Sequence, residues 1–453
     1  MAYRTCVTII CLLNLVLEVV DVVTQPNPTS RVCIIGAGYS GLSTARYMKE
    51  YGLNYTVFEA SRYIGGTWRF DPHVGTDENG LPLFTSQYKG LRTNTPRHTM
   101  EMFAFPFPDD TPSYPTGECF YKYLQSFVKH FHLMKDIQLE SFVTKVQWSG
   151  DGWNVTFMKS DTKENVTEFC SFVVVASGEY SKPFIPEVEK MNDFKGKILH
   201  SHDYKDPEDY RGQRVMLVGA GASGLDLAVQ LSNTTSKLVH SHHLTYNQPK
   251  FPGTYVKKPD LQYFTPNGAV FEDNSFEEFD VVIFCTGYHY SHPYLDQLTS
   301  GITATTAYVL PLYQHIVNIK RPSMAFVGLP KKVVNKVLEI QAQYVAALAA
   351  DKFKLPPQAE MLRIWLDHVQ TLKKRNYITD VNVVQDMGKY FEDLHKEAFI
   401  PFVPPVITTI RDFNQQNRLD DLLNYRDYDY NIISDTEFER KYNPREPVCN
   451  VVI

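Results

Sequence analysis

Two glycine-rich hexapeptides carry the clearest chemistry in this chain: Gly36-Ala37-Gly38-Tyr39-Ser40-Gly41 and Gly219-Ala220-Gly221-Ala222-Ser223-Gly224. In this pattern the first glycine permits a tight turn, the second lets backbone approach a pyrophosphate, and the third lets a helix pack close to a strand. Each hexapeptide follows an apolar run, Val32-Cys33-Ile34-Ile35 or Val215-Met216-Leu217-Val218, and each opens an amphipathic stretch. The unpaired N–H groups and positive dipole at such a helix start suit an anion. Glu59 ends the strand-like run Tyr55-Thr56-Val57-Phe58. It lies about twenty residues past the first fingerprint, where a carboxylate accepts hydrogen bonds from a ribose. Two such units predict two dinucleotides with electron traffic between them: a flavin that keeps the electrons and a nicotinamide that delivers them.

The elements that must position these residues can be read along the chain. Strand, turn and helix signals fill Arg31 to Glu59, and a loop rich in Gly, Pro and aromatic residues spans Gly65 to Pro115. Phe120 to His132 reads as an amphipathic helix. Alternating segments near Phe142 to Trp148, Trp153 to Phe157 and Phe169 to Val175 read as a β-meander. The last of these runs into Gly178, as the second unit's Val281-Val282-Ile283-Phe284 runs into Gly287. The predicted architecture is α/β with two Rossmann-type domains. Residues 31–185 form the first part of the FAD domain, 190–305 an inserted NADPH domain, and 306–453 the second part with a tail. The tail beyond Tyr377 is polar and aromatic and yields no fold from pattern alone.

Composition bounds the rest. A chain of 453 residues holds two or three domains, and its formal charge of −6 gives no basic field for nucleic acid. Tyr and Phe number 28 each, which suits a flavin ring and an apolar substrate, though core packing uses most of them. Arg4 precedes an apolar run from Cys6 to Leu17, interrupted only by Thr8 and Asn14; Glu18 and Asp21 follow, then a polar, proline-containing stretch to Ser30. That run has the length of a signal peptide and is short for a membrane span. Residues 1–24 are therefore expected to be a cleaved secretory signal, with an uncleaved signal anchor, ER retention or a cytosolic extension as the alternatives. Beyond the signal, Cys33, Cys119, Cys170, Cys285 and Cys449 are odd in number and scattered, with no CxxC pair. No disulfide framework is predicted, and Cys33 and Cys285 are expected to act as small core hydrophobes. Sequons at Asn54, Asn154, Asn165 and Asn233 are candidate glycosylation sites in a secreted chain.

With these residues in hand, the chain resembles the flavin-containing monooxygenases. Phe194-x-Gly196-x-x-x-His200-x-x-x-Tyr204 is similar to that family's identifying motif at every defined position. Gly65-Gly66-Thr67-Trp68 and Thr93-Asn94-Thr95-Pro96 resemble its flavin-site segments, and Cys285-Thr286-Gly287-Tyr288 and Glu339-x-Gln341-Ala342 resemble two further ones. The signal-like N-terminus resembles the family's secreted insect branch, which includes pyrrolizidine-alkaloid N-oxygenases. The resemblance implies that NADPH reduces FAD, that O2 adds to give a C4a-hydroperoxyflavin, and that a tertiary amine or thioether takes the distal oxygen. Plant pyrrolizidine alkaloids would be the amines, and detoxification the purpose. The cofactor supplies the hard chemistry, and the protein supplies placement and dryness.

The same resemblance distributes roles. Gly36, Ala37, Gly38, Tyr39, Ser40, Gly41 and Glu59 would hold FAD, and Gly66, Thr67 and Trp68 would line it. Thr93 and Thr95 flank Asn94, the residue expected nearest the chemistry, whose amide can both donate and accept. The plain alternative for Asn94 is a cap on the turn before Pro96. Gly219, Gly221, Ser223, Gly224, Leu225 and Asp226 would meet NADPH, and Gln341 would join the cofactor shell. His200 is read as part of an interdomain hinge, with Phe194 and Tyr204 packing around it. Where the family carries Ser-x-Arg for the 2′-phosphate, this chain has Ser241-His242-His243. Neutral His is a weaker phosphate ligand than Arg, so NADH use is expected to be easier than usual. Three other functions fit the two fingerprints: a Baeyer–Villiger ketone monooxygenase, an NADPH oxidase, and a secreted flavoprotein without turnover. The first is disfavoured by Tyr204, where such enzymes carry Trp. Neither the oligomeric state nor a metal site is legible.

Overall fold

The computed structural model describes residues 31–375 and 381–453, so the predicted signal lies outside the described residues. The first unit opens with strand β1 (Val32–Ile35), helix α1 (Tyr39–Glu50) and β2 (Tyr55–Phe58). Helix α2 (Gly117–His130) follows the long loop, capped by the Thr116 side chain. Next comes an antiparallel meander, β3 (Ser141–Trp148), β4 (Trp153–Lys159) and β5 (Asn165–Cys170). The third predicted meander strand is thus divided. Asn165–Cys170 pairs within the meander, while β6 (Phe172–Val175) crosses to the main sheet and pairs parallel with β1. All four residues of β6 are buried, as a strand covered on both faces must be.

The second unit has five parallel strands: β7 (Lys197–His200), β8 (Arg214–Val218), β9 (Lys237–Ser241), β10 (Tyr255–Lys258) and β11 (Val281–Phe284), in the order β10-β9-β8-β11-β7. Helix α3 (Ala222–Leu231) follows β8. The chain then returns to the first sheet with the short antiparallel strands Leu312–Tyr313 and Val317–Asn318, followed by β12 (Met324–Phe326), which pairs parallel with β6. The fold is therefore α/β with two Rossmann-type sheets, the first of them assembled from discontinuous stretches. Helices α4 (Asn335–Ala349), α5 (Gln358–Lys374), α6 (Met387–Ala398) and α7 (Val406–Asp420) come next. The hairpin β13 (Tyr428–Ile432) and β14 (Phe438–Tyr442) gives the tail its structure.

Register places the functional loops. Ile35 stands beside Phe58 and Val175, and Val175 beside Phe326, so the carboxyl ends of four strands align. The residues that follow are Gly36, Glu59, Ala176 and Val327. In the second sheet Val218 aligns with Ser241 and Phe284, which puts Gly219, His242 and Cys285 together. Ligands of open α/β sheets bind at such ends.

The cysteines correct the sequence reading. Cys33 and Cys170 are disulfide-bonded across 137 residues, and Cys119 and Cys449 across 330. Cys33 is in the core, as expected, but as half of a bridge between the main sheet and the meander. Among the described residues Cys285 is the free cysteine, and it is buried. Spacing could not show this, because both pairings join segments brought together only by the tertiary fold. Alkylation of denatured, unreduced protein should label Cys285 and none of the four bridged residues, as peptide mapping would show. Breaking either bridge by Cys→Ser pairs should cost about 2–5 kcal/mol in a denaturant unfolding experiment.

Candidate functional site

The first glycine loop is set by contact distances. Gly36 has φ +102°, and a Cβ there would lie 2.7 Å from the Ala176 carbonyl oxygen. A Cβ on Gly41 would lie 1.8 Å from the Gly36 carbonyl oxygen, so α1 can approach β1 this closely only with glycine. No side chain caps α1, and its first turn has no acid. Its leading N–H groups therefore suit an anion. The Ala37 N–H donates to Glu59 Oε2 at 2.7 Å, and the Ser61 N–H donates to Oε1 at 3.0 Å. Burial pushes the Glu59 carboxyl up, opposed by those backbone donors. Glu59 lines a cleft with Ser61, Tyr63, Ile64, Gly66 and Arg69. Gly66 backs onto Gly38, and the Gly65 N–H donates to the Ala37 carbonyl at 2.9 Å. Thr67 bonds to Ser86, and the Trp68 ring packs 4.2 Å from Phe120.

The second loop repeats this geometry and is more open. Gly219 has φ +97°, and a Cβ on Gly224 would lie 2.0 Å from the Gly219 carbonyl oxygen. A Cβ on Gly221 would meet nothing within 4 Å. Gly221 and Ala222 are exposed, Ser223 is half-buried, and no side chain caps α3. Leu225 is buried in the core, so it can face a ligand only through backbone. His240, which pattern reading missed, holds the Gly219 carbonyl through Nε2 at 3.0 Å while Nδ1 meets the Tyr255 hydroxyl at 3.0 Å. Those partners assign a neutral ring with the proton on Nε2. Burial lowers His240 to about 3 and His242 to about 4. Ser241 donates to the Pro259 carbonyl. His243 is exposed and paired at 2.9 Å with Asp260. The strand end therefore offers no arginine for a 2′-phosphate.

Between the two loops in sequence lies the Thr93–Asn94 segment, held by the tail through Asn414 and Arg426. Asn94 is exposed, and its carbonyl accepts from Asn414 Nδ2 at 2.9 Å. It is not the cap of the next turn, which has Pro96 at that position without a side-chain bond. Thr93 Oγ1 is buried with no protein partner. Asp226 has partners within the protein: Tyr88 donates to Oδ2 and Arg426 to Oδ1, each at 2.5 Å. Gln341 is likewise engaged, accepting from the Gly328 N–H and donating to the Tyr390 hydroxyl, both at 2.9 Å. Gly328 in turn abuts Ser40, so Gln341 supports the first loop from behind. His200 is buried, lowered to about 4 by burial, and accepts from the His202 N–H at 3.1 Å. Tyr204 donates to Gln230 on α3, and Phe194 packs against Phe264 and Phe279. Arg426 and Asn414 escaped sequence reading because they belong to the tail, more than 300 residues from the loop they hold.

The two loops fit two dinucleotides: glycine turns at Gly36, Gly41, Gly219 and Gly224 that a Cβ would fill, uncapped helix starts, a carboxylate at the end of β2 and an unpartnered Thr93 hydroxyl beside Asn94. Among the described residues no cluster could hold a metal ion. FAD would be held by the first loop with Glu59, and a nicotinamide dinucleotide by the second loop. The fold and site thus define a protein with two dinucleotide-type cradles, one at the end of each sheet.

Comparison with known proteins narrows this. A sequence model of the flavin-binding monooxygenase-like family matches residues 29–245 and 250–412. The chain is 56% identical over 447 residues to senecionine N-oxygenase of Tyria jacobaeae, covering 97% of this chain and 98% of that protein. It is 27% identical over 416 residues to trimethylamine monooxygenase of Pelagibacter sp. strain HTCC7211, covering 88% and 92%. The structure of S-allyl-L-cysteine S-oxygenase from Allium sativum superposes with a TM-score of 0.81 at 27% identity, covering 88% of this chain and 95% of that one. This chain belongs to the flavin-binding monooxygenase-like family. It is an enzyme, a flavin-containing monooxygenase that uses O2 on a small molecule.

Gly224→Ala should prevent folding of the second loop, while Gly221→Ala should keep the wild-type Tm and raise the KM for the nicotinamide cofactor. His240 gives a pH test. Its folded pKa of about 3 lies below the ordinary 6.5, so the unfolded state binds more protons between these values. Its contribution is complete above pH 6.5 and is lost as pH falls. Between pH 7 and pH 5 the loss is about 2 kcal/mol. His240→Asn should shrink the pH dependence of urea-unfolding stability over that range by this amount.

Proposed function

We propose that this enzyme N-oxygenates the tertiary amine of plant pyrrolizidine alkaloids with FAD, NADPH and O2, and that it does so as a secreted, detoxifying protein. The observation that carries the substrate class is the 56% identity to senecionine N-oxygenase across nearly the whole of both chains. FAD, when bound, supplies hydride acceptance and oxygen activation, which no side chain can provide. The chain's own residues then have limited tasks. The Gly36–Gly41 loop and Glu59 grip one nucleotide, and the second loop with Ser223 grips the other. Thr67 and Trp68 shape the ring's surroundings, and the Asn94 amide is the donor and acceptor nearest the reacting atoms. The aromatic packing of Trp68, Phe120 and Phe107 keeps water from one side.

Secretion draws support from the two disulfides, which persist in oxidising compartments. Among the described residues no helix is long and apolar enough to cross a membrane. Candidate glycans at Asn54, Asn165 and Asn233 would stand on exposed positions, whereas Asn154 is half-buried on β4. Cofactor choice is the point at which this chain departs from its family. Asp260 beside His243 disfavours an added phosphate, so NADPH is expected to be preferred over NADH by a narrow margin.

Anaerobic mixing with NADPH should bleach the flavin bands. Admitting air with senecionine should give the N-oxide, identified by mass spectrometry, and a cyclic ketone should give no lactone. Failure to bleach would favour a flavoprotein without turnover, and peroxide as the sole product would favour an oxidase. His243→Arg combined with Asp260→Asn should widen the NADPH-over-NADH ratio of kcat/KM by about tenfold or more.

A further inference from the structure

The C-terminal tail places a buried guanidinium at the meeting point of three chain regions. Arg426 Nη1 bonds to Asp226 on α3, the helix of the second glycine loop, at 2.5 Å. Its Nε donates to the Thr93 carbonyl at 3.0 Å and its Nη2 to the Arg92 carbonyl at 3.3 Å. Arg92 returns the contact, donating to the Arg426 carbonyl at 3.1 Å. Asp226 is held on its other oxygen by Tyr88, and Asn414 grips the carbonyl of Asn94. The guanidinium is 14% exposed and the carboxylate 10%. Burial opposes the arginine's charge, but Asp226 outweighs it and holds the guanidinium firmly protonated.

A buried ion pair seldom stabilises a fold more than an apolar replacement would, so its place here calls for another reason. What it does geometrically is fix the distance between the helix presenting the second nucleotide and the segment carrying Asn94. We propose that Arg426 is a positioning residue: through Asp226 it locks the nicotinamide unit to the Thr93–Asn94 segment, so that electrons delivered by the nicotinamide end in product rather than in free peroxide. This rests on the reading given under Proposed function. In the coupled reaction NADPH, a proton, O2 and a tertiary amine give NADP⁺, the amine N-oxide and water, with two electrons from NADPH and two from the amine nitrogen. One oxygen atom forms the new N–O bond and the other leaves as water. In the leak NADPH, a proton and O2 give NADP⁺ and hydrogen peroxide, with the amine left unoxidised.

The test uses the full-length holoenzyme and the variants Arg426→Gln, Arg426→Lys and Asp226→Asn. Hydrogen–deuterium exchange should be faster than in wild type in both 92–97 and 222–231 for Arg426→Gln and Asp226→Asn, a readout independent of turnover. The peroxide formed per N-oxide, with saturating amine, should rise by about tenfold in the same two variants. Arg426→Lys, which keeps the charge, should recover part of the coupling. The double variant should leak no more than either single one, because both remove one shared interaction. If Arg426→Gln does not accumulate as a folded flavoprotein, Asp226→Asn decides alone, since it keeps the shape of the site and alters only its charge. Wild-type exchange and wild-type coupling in folded Asp226→Asn overturn the proposal. Failure of the wild type to bleach with NADPH or to form N-oxide instead overturns the underlying functional reading, while the exchange result still reports on the lock.

Discussion

The structure depends on how closely two helices approach two strands. At Gly41 and again at Gly224 the space for a side chain is already taken by a backbone carbonyl, at 1.8 Å and 2.0 Å from where a Cβ would be. That approach aims each uncapped helix start across the end of its sheet. The strand registers then bring the ancillary groups into place. Glu59 arrives beside the first loop because Phe58 pairs with Ile35, and His240 and His242 arrive beside the second because Ser241 pairs with Val218. Neither loop could be moved without moving a whole sheet.

The two loops are held differently, and this bears on their tasks. Around the first, charge is buried: Glu59 answers two backbone N–H groups, and Gln341 braces Gly328 against Ser40. A nucleotide held there would be a resident. The second loop is open at Gly221, and its brace is the neutral ring of His240. A neutral brace contributes orientation without adding a charge that would tighten the grip on a phosphate. A nucleotide held there would be gripped more loosely, as suits one exchanged at each turnover.

Much of this was legible in the sequence because it is local. Glycine spacing, the run before each glycine and the carboxylate at the end of β2 all fall within one βαβ unit, where chain distance and spatial distance agree. The division of Phe169–Val175 between two sheets was not legible, because Ser171 interrupts a run whose residues all suit strands. The disulfides were missed for a different reason. Cys33 looks like a core hydrophobe and is one. Only the packing of the meander on the main sheet shows that Cys170 is its neighbour. Arg426 gave no signal at all, since an arginine in a polar tail is the commonest of surface residues until the tail is folded back.

That fold-back gives the tail its meaning. Asn414, Arg426 and Asp429 all reach the loop between residues 92 and 113, and Asn247 of the second unit bonds to the tail at Leu419 and Asp420. Cys449 then ties the chain's end to Cys119 at the start of α2, whose Phe120 packs on Trp68. The chain from α7 onward therefore acts as a strap over the loop between residues 92 and 113, anchored covalently at one end and electrostatically in the middle. A strap of this kind allows the Asn94 segment to be an exposed loop and still be fixed in position. The position of that segment comes from the tail's grip on the Thr93 and Asn94 carbonyls, not from regular structure in the loop itself.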